Sequence, residues 1–281
     1  MKYLCFLLIF VSAQLQATEA GDTNYLPGFY GDFRMAVMPE HGTYFNNFFA
    51  AYQDHSGKLG TLLEIPGIIH ATGHKIFGGN FSFGIYPGVL ATKDDTRTSN
   101  FDRVGLADVY LLPASLGWSW DKVALLVYEG IIAPTGYYQK GALNSGLNIW
   151  TFDHNISVTW ELPADNELSV NLGYMNNIKN SATHHKSGDL VHFDYMLGHY
   201  FSPVLGLGVV GSYYYQTTAD HAPASILEPD RGEGATIGPV VMYTPHFLDR
   251  DVSFSLKWQH EFDAKGHAPK DFLILKVWSS F

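Results

Sequence analysis

From residue 147 the chain reads Leu147-Asn148-Ile149-Trp150-Thr151-Phe152-Asp153-His154-Asn155-Ile156-Ser157-Val158-Thr159-Trp160-Glu161-Leu162. Taking every second residue separates two sets. Trp150, Phe152, His154, Ile156, Val158, Trp160 and Leu162 are apolar or aromatic except for His154, and Thr151, Asp153, Asn155, Ser157, Thr159 and Glu161 are all polar. Side chains alternate faces along a strand, so the segment has one greasy face and one wet face. Trp150 and Trp160 share the greasy face, ten residues apart. At about 3.3 Å per residue and a tilt near 40° that separation spans about 25 Å, the height of the apolar band between the aromatic girdles of a transmembrane barrel. Tryptophan favours such a border because its ring is apolar while its N–H seeks water. Trp258 occupies the same kind of position on another alternating segment, so Trp150, Trp160 and Trp258 are the expected girdle residues.

The composition agrees with a barrel. Of the 281 residues 15% are aromatic and 16% charged, with a net charge of −10. A soluble protein carries about 25% charged residues. The acidic balance argues against a nucleic-acid partner, which requires a basic face. Mean hydropathy is near zero. A barrel averages a lipid-facing set against a lumen-facing one, so this is expected of it.

Residues 1–20 read as an export signal, with Lys2 as the charged start, Leu4 to Val11 as the apolar core, and Ala13, Ala17 and Ala20 as small residues for cleavage. Cleavage is expected after Ala17 or Ala20. Cys5, the single cysteine, lies inside this segment, so no disulfide, thiol nucleophile or cysteine-bound metal is expected in the mature chain. No other apolar run approaches 20 residues, which excludes helical membrane spans. Residues 21–42 lack clean alternation and contain Pro27 and Pro39. They either tuck into the lumen as a plug or hang in the periplasm.

From Thr43 onward twelve strands are expected, over about 43–53, 59–72, 75–91, 105–119, 121–135, 147–161, 166–178, 187–201, 203–218, 233–245, 250–263 and 270–281. Long polar links near 92–104, 136–146, 179–186 and 219–232 alternate with tight ones near Thr72–His74, Trp120, Pro163–Asn166, Ser202 and Pro245–Asp249. Long outer loops and short periplasmic turns produce this parity when the strand count is even and both ends of the barrel lie in the periplasm. Tyr110–Trp118 and Leu125–Ala133 are apolar on both faces, as expected for lipid outside and a greasy lumen inside. The chain ends on Phe281, in register with Val277, Leu275 and Leu273. A terminal aromatic on an amphipathic last strand is the feature that the barrel-insertion machinery reads.

The polar set expected to line the lumen is Asp153, Asn155, Glu161, Glu167, Asn171, His192, Asp194, Lys257, Gln259 and Glu261. Such charges cannot face lipid, where a basic residue near the midplane costs about 2–4 kcal/mol. They line water or pair with one another. No catalytic set is expected. Gly206 to Gly211 has dinucleotide-binding glycine spacing, but the continuation Ser212-Tyr213-Tyr214-Tyr215 forms a strand rather than the helix that phosphate binding needs. His260-Glu261 has no second histidine at zinc-protease spacing, and the adjacent His184 and His185 point apart in an extended chain. No nucleophile elbow occurs. His192 and Asp194 share an inward face and are the one pair that a barrel-embedded hydrolase would draw on. No metal or cofactor is expected.

Several short pieces together resemble an outer-membrane family associated with the meta-pathway of phenol degradation, also grouped as aromatic-compound transporters. They are Tyr25-Leu26-Pro27-Gly28, Pro39-Glu40-His41-Gly42-Thr43-Tyr44, Ala133-Pro134-Thr135-Gly136-Tyr137, Asn148-Ile149-Trp150-Thr151-Phe152, Ser187-Gly188, His192-Phe193-Asp194-Tyr195, Tyr213-Tyr214-Tyr215-Gln216, Gly238-Pro239, Glu261-Phe262 and the terminal Phe281. The chain departs from the family pattern in two places. Gly266-His267-Ala268-Pro269 stands where an Asn-Arg-Pro turn is usual, and His154 stands where proline is common. The resemblance implies an all-β transmembrane antiparallel barrel in the outer membrane of a Gram-negative bacterium. It implies passive uptake of small hydrophobic or aromatic solutes and no catalytic residues. A structural or surface-interaction barrel is the second reading, and a barrel-embedded hydrolase the third.

Overall fold

The computed structural model describes residues 23–95, 101–140, 142–221, 231–247 and 249–280. The export segment 1–20 and Phe281 lie outside them. The described residues contain strands and no helix. The strands are β1 (His41–Asp54), β2 (Leu59–Ile76), β3 (Gly79–Tyr86), β4 (Val89–Asp94), β5 (Phe101–Leu106), β6 (Val109–Trp120), β7 (Val123–Ala133) and β8 (Thr151–Leu162). There follow β9 (Asn166–Asn177), β10 (Leu190–Ser202), β11 (Leu205–Gln216), β12 (Glu233–Tyr243), β13 (His246–Phe247), β14 (Arg250–Lys265) and β15 (Lys270–Ser280). Every pairing is antiparallel between neighbours. β3 with β4 makes one stave and β5 with β6 the next, while β13 only bridges the start of β14, so twelve staves form the wall. β1 pairs with β2 on one side and with β15 on the other, from Tyr44↔Ser280 to Asp54↔Lys270. That seam closes the sheet, so that among the described residues no strand edge is left inside the membrane, where an unpaired backbone group costs several kcal/mol.

The link parity expected from the sequence is present. One end carries the longer links that follow β4, β7, β9 and β11 together with four-residue turns after β1 and β14, and the other carries two- to six-residue turns together with His41 and Ser280. The turn expected near Thr72–His74 is instead a bulge, with the register shifting between Ala71 and Lys75. The chain reverses five residues later at Phe77 and Gly78, whose φ values of 51° and 80° are those of a primed hairpin turn. Trp118 Nε1 donates to Phe77 O at 3.1 Å and holds that corner. Similarly, the expected strands 75–91 and 105–119 each break, at Pro87–Gly88 and at Ala107–Asp108. The breaks lie side by side, with Ala107 N–H donating to Gly88 O at 2.9 Å. Proline lacks the N–H that a ladder needs, which places one break. At the other, Asp108 leaves the ladder to receive the N–H groups of Gly136 and Leu147 at 2.8 and 2.7 Å. β8 starts at Thr151 rather than 147 because Asn148 takes a left-handed φ of 56°.

The outer wall is apolar. Leu62, Val104, Ile156, Leu172, Leu197 and Leu256 are among its exposed large residues. In water such a band would be costly, at about 25 cal/mol per Å² of apolar surface, whereas acyl chains solvate it without penalty.

Candidate functional site

Residues 23–40 run inside the barrel and attach to one half of its wall. Asn24 Nδ2 donates to Thr151 Oγ1 at 2.6 Å at the long-loop end. Tyr25 and Tyr30 hydroxyls donate to Asp194 Oδ1 at 2.8 Å and Asp153 Oδ2 at 2.7 Å. Between those carboxylates sits His192, with Nδ1 3.0 Å from Asp194 and Nε2 3.2 Å from Asp153, and both tyrosine rings lie 4.6 Å from its imidazole. Gly28 has a left-handed φ of 87°. Lys257 Nζ donates to the carbonyls of Gly28 and Gly31 at 2.6 and 2.7 Å and lies 3.5 Å from Asp32 Oδ2, the same oxygen that Lys276 Nζ approaches to 3.4 Å. Toward the short-turn end, Glu167 accepts from Arg34 N–H at 2.6 Å and from Tyr200 hydroxyl at 2.6 Å, and Ala36 N–H donates to Thr159 Oγ1 at 3.0 Å. Buried charges persist only when paired and hydrogen-bonded, and here the segment and the wall supply each other's partners.

The other half of the interior is open. A cavity of about 1920 Å³ is bordered by the inward faces of β1 to β4, β6, β7, β14 and β15 on one side and by Leu26, Phe29, Tyr30, Phe33, Val37 and Met38 of the segment on the other. Its border includes Ser56, Lys58, His267 and Pro269 at the long-loop end and Pro203, Thr244 and Asp251 at the short-turn end. The link after β7 also enters it, through Tyr138 and residues 142–147. Aromatic side chains dominate the middle. Tyr44, Phe48 and Tyr52 recur at every fourth residue on the inner face of β1. Phe29 stacks on Phe48 at 4.7 Å, and Tyr86 meets Tyr110 edge-on at 6.0 Å. Trp278 stacks on Tyr44 at 5.3 Å, and Lys276 Nζ lies 5.8 Å from the Phe48 ring.

This division separates the residues expected from the sequence from those on the open surface. Asp153, Asn155, Glu167, Asn171, His192, Asp194, Lys257, Gln259 and Glu261 point inward but are buried, nine side chains under the N-terminal segment or in each other's networks. None borders the large cavity. Glu261 touches only a second one of about 60 Å³. Glu161 follows the same alternation and is exposed at the rim beside the turn. The residues that do border the open space, such as Phe48, Tyr86, Leu112 and Tyr128, were hidden in sequence because their strands are greasy on both faces. The one available signal was the Tyr44, Phe48, Tyr52 spacing. His192 has a carboxylate oxygen against each nitrogen and two tyrosines over its ring, so it faces no open space. Gly206, Gly208 and Gly211 lie within β11. Phe33 packs against Gly198 and Gly206, where an added Cβ would come 2.4 and 2.9 Å from its ring. Trp150, Trp160 and Trp258 are 46%, 49% and 45% exposed on the outer wall.

A closed antiparallel barrel with an apolar outer wall and an internal cavity defines an outer-membrane β-barrel of the Gram-negative type. The chain belongs to the family described as "Putative MetA-pathway of phenol degradation", whose model matches residues 43–277. Among solved structures it is similar to an outer-membrane channel of Pseudomonas putida F1. The two share 15% identity at a TM-score of 0.74, over 92% of this chain and 100% of that one. More distant is the translocator domain of an autotransporter from Neisseria meningitidis, at 11% identity and a TM-score of 0.48, over 88% of this chain and 91% of that one. No curated protein sequence matches the chain.

Proposed function

We propose that the protein is a passive, non-enzymatic uptake channel for small hydrophobic or aromatic compounds. The observation that carries this reading is the aromatic-lined cavity of about 1920 Å³ bordered by residues of both barrel ends. An apolar cavity of about 150 Å³ is enough to hold benzene, so one-ring solutes fit with space to move. Rings at Tyr44, Phe48 and Tyr52 offer successive stacking surfaces, each worth about 0.5–1.5 kcal/mol, which is weak enough for release. We assign residues 21–42 the role of a plug that closes the polar half, and residues 1–20 the export signal. Asp153 and its buried partners act as anchors for that plug. Trp150, Trp160 and Trp258 act as the girdle. The insertion machinery would read the outward face of β15 together with Phe281.

The test is uptake of a labelled aromatic carboxylate, which crosses bare bilayers slowly, into liposomes holding folded protein. Flux above empty liposomes is expected, and Phe48→Ala lowers it relative to flux of a sugar of equal size. No flux from folded protein, or equal losses for both solutes, contradicts the reading.

A further inference from the structure

On the outer wall, away from the cavity, three side chains converge at the seam where the barrel closes. His55 follows β1, His260 lies on β14 and Asp271 lies on β15, the strand between them. His260 and Asp271 belong to the outward alternation of their strands, and His55 opens the exposed turn beside them. Gln259 and Glu261, the neighbours of His260, are buried inside, while Trp258 is exposed and packs against the His260 ring at 6.1 Å. Asp271 Oδ1 lies 2.7 Å from His260 Nδ1 and 3.5 Å from His55 Nε2. The two imidazoles stack at 4.9 Å with only 6° between their planes, and each has one nitrogen near the same carboxylate oxygen. Among the described residues this is the group of three whose ligand atoms all fall within 4.8 Å of one another.

We propose that His55, His260 and Asp271 form a binding site for a divalent transition-metal cation of the zinc or copper class. Tetrahedral zinc with ligand bonds near 2.0–2.1 Å holds its ligands about 3.4 Å apart. The His55–Asp271 distance already matches, the His260–Asp271 pair needs to open by about 0.7 Å, and the two stacked rings need to turn about their side-chain bonds so that their in-plane lone pairs converge on one ion. Imidazole nitrogen with one carboxylate suits zinc, copper or nickel, while calcium and magnesium prefer oxygen sets. Side-chain exposures of 34%, 44% and 42% leave the remaining coordination position to water and give the ion a path in. The ligands come from the first and last hairpins, so a bound ion would staple the closing seam. The three positions are far apart in sequence, which is why no spacing motif reveals them.

The test uses tag-free, detergent-solubilised full-length protein, stripped with EDTA and titrated with zinc against a chromophoric chelator. One tight zinc per chain is expected, lost on the order of tenfold or more in affinity in His260→Ala and Asp271→Asn. The double variant His184→Ala, His185→Ala should retain it. A second readout is the temperature at which the folded band gives way to the unfolded band on a gel, which zinc should raise in the native protein but not in Asp271→Asn. Should His260→Ala fail to fold, His55→Gln serves in its place. Absence of tight zinc, or equal affinity in the variants, would reduce the trio to a hydrogen-bonded surface cluster and overturn the proposal. Either result leaves the uptake assay unaffected.

Discussion

At Lys257 a single ammonium group holds two main-chain carbonyls and faces one carboxylate of the N-terminal segment, deep inside the barrel. Removing one partner of a buried, hydrogen-bonded charge pair costs about 3–5 kcal/mol. Lys276 remains near Asp32, so Lys257→Met should cost about 3 kcal/mol, at the low end of that range. The measurable result is a lower thermal transition in detergent. An unchanged transition would mean that the segment is not anchored there. By contrast, Ser255→Ala removes one hydrogen bond to Asp32 and should cost only about 1 kcal/mol. The inward direction of Lys257, His192 and Asp153 was legible, because alternation alone assigns the face. What covers them was not. Their partners Asp32, Tyr25 and Tyr30 lie in a stretch with no periodicity, and the bonds join residues 123 to 229 positions apart. No local pattern encodes such contacts.

The N-terminal segment is the element on which the lumen's character depends. Deleting residues 23–40 would leave the polar half of the wall facing water and widen the pore. Single-channel conductance in planar bilayers should rise, and unchanged conductance would contradict the plug. A milder probe is Gly198→Leu, whose side chain would collide with Phe33 and displace that end of the segment, with the same direction of change. Strand spans from about 166 onward were legible to within three residues, since clean alternation and tight turns fix both ends. The third and fourth staves were not. Pro87, Gly88 and Asp108 interrupt the ladder without interrupting the apolar run, so hydrophobicity alone joins what hydrogen bonding separates. The reversal at Phe77–Gly78 was likewise hidden, because a bulge at Gly73 carries the stronger turn signal.

For the molecule as a whole, link parity and the outward apolar faces were sufficient to specify a closed barrel, because a membrane admits no other arrangement of strands. The division of its interior emerges only from the assembled structure: a polar half filled by the chain's own N-terminal segment, and an aromatic half left open between the ends. Single-cysteine labelling tests that division most directly. On a Cys5→Ala background, Ile65→Cys places a thiol on the cavity and Ser169→Cys places one beneath the segment. In intact protein a small membrane-impermeant thiol reagent should modify Ile65→Cys readily and leave Ser169→Cys unmodified, and deleting residues 23–40 should make Ser169→Cys reactive. Equal reactivity at both positions with the segment in place would contradict the account.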